Sequence, residues 1–164
     1  MQYRPGRKED LDEIFRLVRR AIEDMERNGI RQWDELYPAR ADLENDIEKN
    51  TLYVAVEGDK IIAIYVLNRE CDEEYRRCRW NSPDESAIIL HRLCVSPEYQ
   101  NKGVGTKLLL HIEEQARSMG YRSIRLDAFS ENPYALKLYE KNGYVRRGYA
   151  DWRKGRFFLM EKTL

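Results

Sequence analysis

Apolar residues at Leu11, Ile14, Phe15, Val18, Ile22 and Met25 recur in steps of three and four. That spacing predicts a helix over about residues 9–28 with one buried face. Gly29 follows, and glycine readily takes the left-handed conformation that ends a helix. Before it, Gln2 to Arg4 is a short strand candidate that stops at Pro5. Leu43 and Ile47 mark one side of a second helix over about residues 39–49. Residues 51–56 alternate as a strand, Glu57-Gly58-Asp59-Lys60 reads as a hairpin turn, and residues 61–67 return. Residues 68–85 are polar and dense in charge, and read as a long loop. Residues 87–95 form a nearly continuous apolar strand, as expected for one buried on both faces, with His91 and Arg92 its polar exceptions.

After a loop over residues 97–105, a helix over 104–119 carries Leu108, Ile112, Ala116 and Met119 on one face and stops at Gly120. Ile124, Leu126 and Ala128 alternate in a strand over 123–128. A short helix over 132–141 ends at Asn142-Gly143, and strands near 144–149 and 156–160 flank Trp152-Arg153-Lys154-Gly155. This order predicts a mixed α/β sheet with antiparallel hairpins and one parallel crossover. At 164 residues without a low-complexity linker, the chain reads as one domain over 1–164.

Composition narrows the function. Lys+Arg 29 balance Asp+Glu 29, which argues against a nucleic-acid partner. No apolar run approaches the roughly 20 residues of a membrane helix, so no membrane partner is expected. The opening MQYRPGRKED places no apolar stretch behind its charges, unlike a secretory signal. The odd cysteine set, Cys71, Cys78 and Cys94, fits reduced thiols in a cytoplasmic protein. Cys71 and Cys78 lie seven apart, a spacing of no common zinc pattern, and only His91 and His111 are present, so no metal is expected. Cys94 reads as an inert buried thiol and His111 as a surface residue.

The segment richest in chemistry is Gln100-Asn101-Lys102-Gly103-Val104-Gly105, set where a helix begins. The first amides of a helix lack internal partners and carry partial positive charge, and glycines let that backbone approach a phosphate. A Walker loop would need Lys-Ser or Lys-Thr after its glycine, and Val104 follows Gly103. A dinucleotide fingerprint would need a third small residue where Leu108 stands, although Asp127 lies about where its ribose-binding acid would fall. A glycine pair that merely starts a helix is the plainer alternative.

Leu93-Cys94-Val95-Ser96-Pro97 followed by Gln100-Asn101-Lys102-Gly103-Val104-Gly105 resembles the acetyl-CoA signature of the GNAT superfamily of N-acetyltransferases. Asn132-Pro133-Tyr134-Ala135-Leu136-Lys137-Leu138-Tyr139, ending in Gly143-Tyr144, resembles the second signature of that family. The resemblance implies a single α+β domain. Its central mixed sheet has about six or seven strands and about four flanking helices, and it splays between the fourth and fifth strands. It also implies acetyl-CoA as co-substrate, and a small-molecule amine or a protein amino group as acceptor. A homodimer is compatible with it.

Carried over residue by residue, the main chains of Leu93, Cys94 and Val95 would pair with the pantetheine arm as an added strand. The backbone from Gln100 through Asn101, Lys102, Gly103 and Val104 to Gly105 would hold the pyrophosphate, with the Thr106 hydroxyl added. Asn132 would bond the pantetheine arm, or simply cap its helix. Tyr139 holds the position of the general acid that protonates the leaving thiolate, the plainer alternative being an aromatic on the buried side of a short helix. Some members carry a glutamate base on the fourth strand where this chain has Ile89, and His91, two residues on, is the candidate base, or else a histidine hydrogen-bonded inside the fold. Arg92 would face the other way and anchor structure. Trp33, Asp34 and Tyr37, with Tyr75 and Trp80, are the candidates for an acceptor pocket suited to a cation. Trp33 and Tyr37 also fit a loop pinned to the core. The leading expectation is direct acetyl transfer to a primary amine. The alternative is a module that senses acetyl-CoA without catalysis.

Overall fold

The computed structural model describes every residue from Met1 to Leu164. In chain order the elements are β1 (Gln2–Pro5), α1 (Leu11–Arg27), α2 (Arg40–Glu48), β2 (Leu52–Glu57), β3 (Lys60–Asn68), α3 (Glu73–Arg77) and β4 (Ala87–Val95). Then follow α4 (Val104–Ser118), β5 (Ser123–Phe129), α5 (Pro133–Lys141), β6 (Val145–Trp152) and β7 (Gly155–Thr163). The strands form one seven-stranded sheet in the order β1-β2-β3-β4-β5-β7-β6. β4 and β5 run parallel, as the α4 crossover requires, and the β1–β2, β2–β3, β5–β7 and β6–β7 pairs are antiparallel. The mixed sheet and its single parallel crossover match the pattern read from the sequence. The fifth helix is α3, which lies in the stretch expected to be loop.

The parallel ladder is short. It pairs Ala87 with Ser123, Ile88 with Ile124 and Ile89 with Arg125, and ends there, while both strands run on. The β4–β5 pair is therefore splayed, as the resemblance implied.

The contacts divide the chain into two compact units. The first is Met1–Leu67 with His91–Val104, and the second is Asn68–Leu90 with Gly105–Leu164. In the first, α1 buries Leu11, Ile14, Leu17, Val18, Ala21 and Ile22. The helical periodicity missed Leu17 and Ala21, while Phe15 and Met25 sit at the margin of this core, half-buried. Leu43 and Ile47 of α2, with Leu52, Val54, Ile61, Ile64 and Val66, complete it. Between the two apolar positions of α2 lies Asp46, which is buried and meets the Arg92 guanidinium at 2.8 Å. Arg92 has φ +51, a left-handed residue inside β4, and its guanidinium also lies 5.1 Å from the Tyr37 ring centroid. The expected anchoring role of Arg92 has its partners here.

In the second unit, α4 buries Leu108, Leu109, Ile112, Glu113 and Ala116. Met119, expected on that face, is exposed and lies just past the end of the helix at Ser118. Buried Glu113 receives both the Lys162 ammonium at 3.0 Å and the Tyr144 hydroxyl at 3.2 Å. A second buried carboxylate, Glu161, fastens the segment after α3. It accepts from the backbone amides of Asn81 and Ser82 at 2.8 and 3.2 Å and from the Ser82 hydroxyl at 2.5 Å, and it lies 3.6 Å from the Arg125 guanidinium. Arg125 in turn stacks on Trp80 and donates to Asp84 at 2.7 Å.

These donors hold the Glu161 carboxyl below the usual range despite the burial that opposes them. A lowered folded-state pKa gives stability that is present above the ordinary glutamate pKa of about 4.3 and is lost as pH falls through the folded value. Thermal melts from pH 7 down to pH 3 should therefore show a steeper acid loss in the native protein than in Glu161→Gln. Equal slopes would contradict this role for the carboxylate.

No helix is long and apolar enough to cross a membrane.

Candidate active site

β4 leads through a 3-10 turn at Pro97–Tyr99 into the glycine loop. Ser96 starts the turn, its amide donating to the Ile62 carbonyl at 2.8 Å. The Gln100 side-chain amide donates to the Val95 carbonyl at 3.1 Å and so ties the loop to the strand end. Asn101 and Gly103 have φ of +60 and +77. Left-handed residues at alternate positions are the backbone pattern of anion-binding turns, and glycine takes this conformation without strain. Val104 then opens α4, whose first amides have no partner within the helix. Lys60 and Lys102 lie 5.7 and 5.6 Å from the Tyr99 ring centroid, and Lys60 meets Glu98 at 2.6 Å. Gln100, Asn101, Lys102 and Gly103 are exposed, while Val104, Gly105 and Thr106 are half-buried. The loop thus presents backbone and positive charge to solvent, as a phosphate site must.

Of the β4 residues expected to pair with a cofactor arm, Leu93 and Val95 are half-buried and Cys94 is buried. Burial pushes the Cys94 thiol up to about 12, so it stays a neutral thiol at physiological pH. His91 is half-buried on the same strand. His111, read as a surface residue, is also half-buried, and that burial lowers its pKa.

The acceptor candidates separate. Trp33 is buried in the core of the first unit, so its indole pins the loop. Asp34 accepts from the amides of Leu36 and Tyr37 at 3.0 and 3.3 Å and shapes a turn, while Tyr37 is exposed. In the second unit Tyr75 is buried and Trp80 half-buried, in a cluster with Ile89, Ala150 and Leu159. The Trp80 indole N–H donates to the Tyr75 carbonyl at 2.7 Å. These two rings, candidates for the acceptor pocket, pack against Ile89, Ala150 and Leu159 of the sheet.

α5 is capped by Asn132, whose side chain accepts from the Ala135 amide at 3.1 Å. The capping role weighed for Asn132 is thus present in the structure. A Cβ on Gly105 would lie 3.2 Å from a Leu138 methyl group, so a larger residue there would press on α5. One residue beyond Leu138, Tyr139 is buried and stands edge-on to Tyr144, with centroids 5.8 Å apart. Burial, then the nearby charge of Asp127, raises the Tyr139 phenol well above its usual range and keeps it protonated. Asp127 is half-buried on β5, beyond the last β4–β5 pair, and accepts from the Tyr75 hydroxyl at 2.7 Å. Burial lifts its carboxyl to about 6, although the Tyr75 bond pulls the other way. Sequence reasoning weighed Asp127 only as a ribose ligand. The usable signal was a carboxylate on the face of β5 opposite Ile124, Leu126 and Ala128, just upstream of the second signature.

A helix-start anion loop suits a phosphate-bearing ligand, and a buried, protonated phenol suits a proton donor. Comparison with known proteins gives the same direction. The model of the acetyltransferase (GNAT) family matches residues 17–144. The chain belongs to that family. Among curated relatives, S-(2-succino)cysteine N-acetyltransferase of Bacillus subtilis is 30% identical, over 99% of this chain and 96% of its own length. Among solved structures, a GNAT-family acetyltransferase from Streptococcus agalactiae has a TM-score of 0.86 at 21% identity, covering 99% of this chain and 95% of that one. PaiA N-acetyltransferase from Thermoplasma acidophilum, solved in complex with coenzyme A, has a TM-score of 0.72 at 21% identity and covers 99% and 98%. The two structures establish the GNAT fold. Family and relatives together support the N-acetyltransferase class for this GNAT chain.

Proposed function

We propose that this chain moves the acetyl group of acetyl-CoA to the primary amine of a small amino-acid derivative by direct transfer. The observation that carries the reading is Tyr139, a buried phenol held protonated on the helix that carries the second family signature. A GNAT reaction needs a proton donor for the departing thiolate, and a phenol with a raised pKa is still charged with its proton at neutral pH. The pyrophosphate of acetyl-CoA is assigned to the backbone of Gln100, Asn101, Lys102, Gly103, Val104 and Gly105, with Thr106 following. The pantetheine arm is assigned to the main chain of Leu93, Cys94 and Val95, beyond the last β4–β5 pair, with Asn132 as a further candidate. The small-molecule acceptor rests on the full-length similarity to a relative named for acetylating S-(2-succino)cysteine.

The test is coenzyme A thiol release with acetyl-CoA and a panel of acceptors: S-(2-succino)cysteine, other S-substituted cysteines, free amino acids, polyamines and peptides with free N-termini. Release with an amino-acid derivative, matched by the acetylated product in mass spectrometry, is the expected result. Release only with the peptides would replace the small-molecule reading by a protein acceptor. Binding of acetyl-CoA without release on any of them would favour a sensing module.

A further inference from the structure

We propose that Asp127, held by Tyr75, is the group that takes the proton from the acceptor's ammonium. This deepens the acetyl-transfer reading and rests on it.

The geometry lies within one compact unit. β5 runs on past its last β4 partner at Arg125, so Asp127 stands on a stretch of strand edge that β4 does not cover. Asp127 is half-buried as a residue, and its carboxyl is the more enclosed part. Tyr75 is buried on α3 and donates its hydroxyl to Asp127 at 2.7 Å. α3 is itself fastened, because Trp80 bonds the Tyr75 carbonyl at 2.7 Å and packs on Arg125. The titratable groups that face this pair are few. Asp72, just before α3, adds negative charge to Asp127 and to Tyr75. Cys71 acts on Tyr75, and Tyr139 of α5 feels the charge of Asp127. On the β7 side, the residue paired with Asp127 is the apolar Leu159. A carboxylate here, with a phenolic donor on one side and Tyr139 within electrostatic reach, is placed to work on the same reacting centre as the acid.

The proton balance closes. The ammonium gives one proton to the Asp127 carboxylate, and the free amine nitrogen forms its bond to the thioester carbonyl carbon. Collapse of the tetrahedral adduct breaks the C–S bond, and the Tyr139 hydroxyl protonates the departing thiolate. The resulting phenolate takes the remaining extra proton from the new amide nitrogen, and Asp127 returns its own to solvent. The sum is one amide, one coenzyme A thiol and one released proton. A base titrating near 6 also favours an α-amine, with a pKa of about 8, over a lysine-like amine of about 10.4.

The test is the pH dependence of kcat/KM for S-(2-succino)cysteine at saturating acetyl-CoA, in wild type, Asp127→Asn, Tyr75→Phe and His91→Ala. A carbon-13 titration of the Asp127 carboxyl accompanies it and needs no acceptor. Wild type is expected to lose activity as pH falls through about 6. Asp127→Asn, shown folded by its melting curve, should lose about 100-fold or more and with it that acid limb. Tyr75→Phe should keep the limb and move it to higher pH, because the lost donor no longer favours the carboxylate. A packing role alone would not move it. Asp127→Asn within about threefold of wild type with its limb intact would overturn the assignment. So would a limb lost in His91→Ala and retained in Asp127→Asn. If no protein transfers acetyl to any acceptor, the proposed function fails, and the titration judges the pair separately. A midpoint near 6 that rises in Tyr75→Phe supports the pair, and a midpoint in the ordinary carboxylate range overturns it.

Discussion

Tyr139→Phe is expected to lower kcat by about 100-fold or more, the usual contribution of a positioned proton donor. Its acetyl-CoA affinity should stay close to wild type, because the removed hydroxyl is not among the groups assigned to the cofactor's phosphates. The phenyl ring keeps the edge-on contact with Tyr144, so the fold should be undisturbed. The measurement is steady-state thiol release with the acceptor found by the panel, paired with the melting temperature. A loss of affinity with kcat unchanged would move Tyr139 from proton donor to binding residue.

Arg92→Ala is expected to be among the most damaging single changes for stability. It removes the cation that faces buried Asp46 at 2.8 Å and leaves that carboxylate uncompensated. Breaking a buried pair from one side costs about 3–5 kcal/mol. For a chain of this size each kcal/mol shifts Tm by about 2–4 °C, so a fall on the order of 10 °C should appear in the melt. The loop carrying Tyr37 should loosen as well, since the guanidinium lies 5.1 Å from that ring. The paired change Asp46→Leu with Arg92→Met should recover most of the loss, because it leaves no unpaired charge. A double variant as unstable as Arg92→Ala would show that the damage arises elsewhere.

The elements easiest to read from sequence were those whose burial repeats with a fixed period. α1 announces itself by steps of three and four, and β4 by a continuous apolar run between turn residues. The glycine loop and Tyr139 stand out because short signatures surround them, and what the structure adds is their place at the start of α4 and within α5. α3 was not legible. Its five residues, Glu-Glu-Tyr-Arg-Arg, are too short for a period, and their order comes from Tyr75 packing and from the carboxylate of Glu161 farther along the chain. The same cause hid the Tyr75–Asp127 bond, which joins residues from a charged segment and a distant strand. Asp46 was passed over because a carboxylate between Leu43 and Ile47 looks like an ordinary polar helix position. Only the fold shows Arg92 facing it. Local pattern reports which face of an element is buried, and long-range polar partners leave no such trace.

We propose that the loop from Gln100 to Gly105 receives acetyl-CoA for transfer to an amine. The most direct test is a calorimetric titration of the purified protein with acetyl-CoA, repeated in the presence of ATP, because neither needs the acceptor to be known. Saturable binding of one acetyl-CoA per chain that ATP does not displace is the predicted result. No binding of acetyl-CoA, or a loop that takes ATP in its place, would contradict the account.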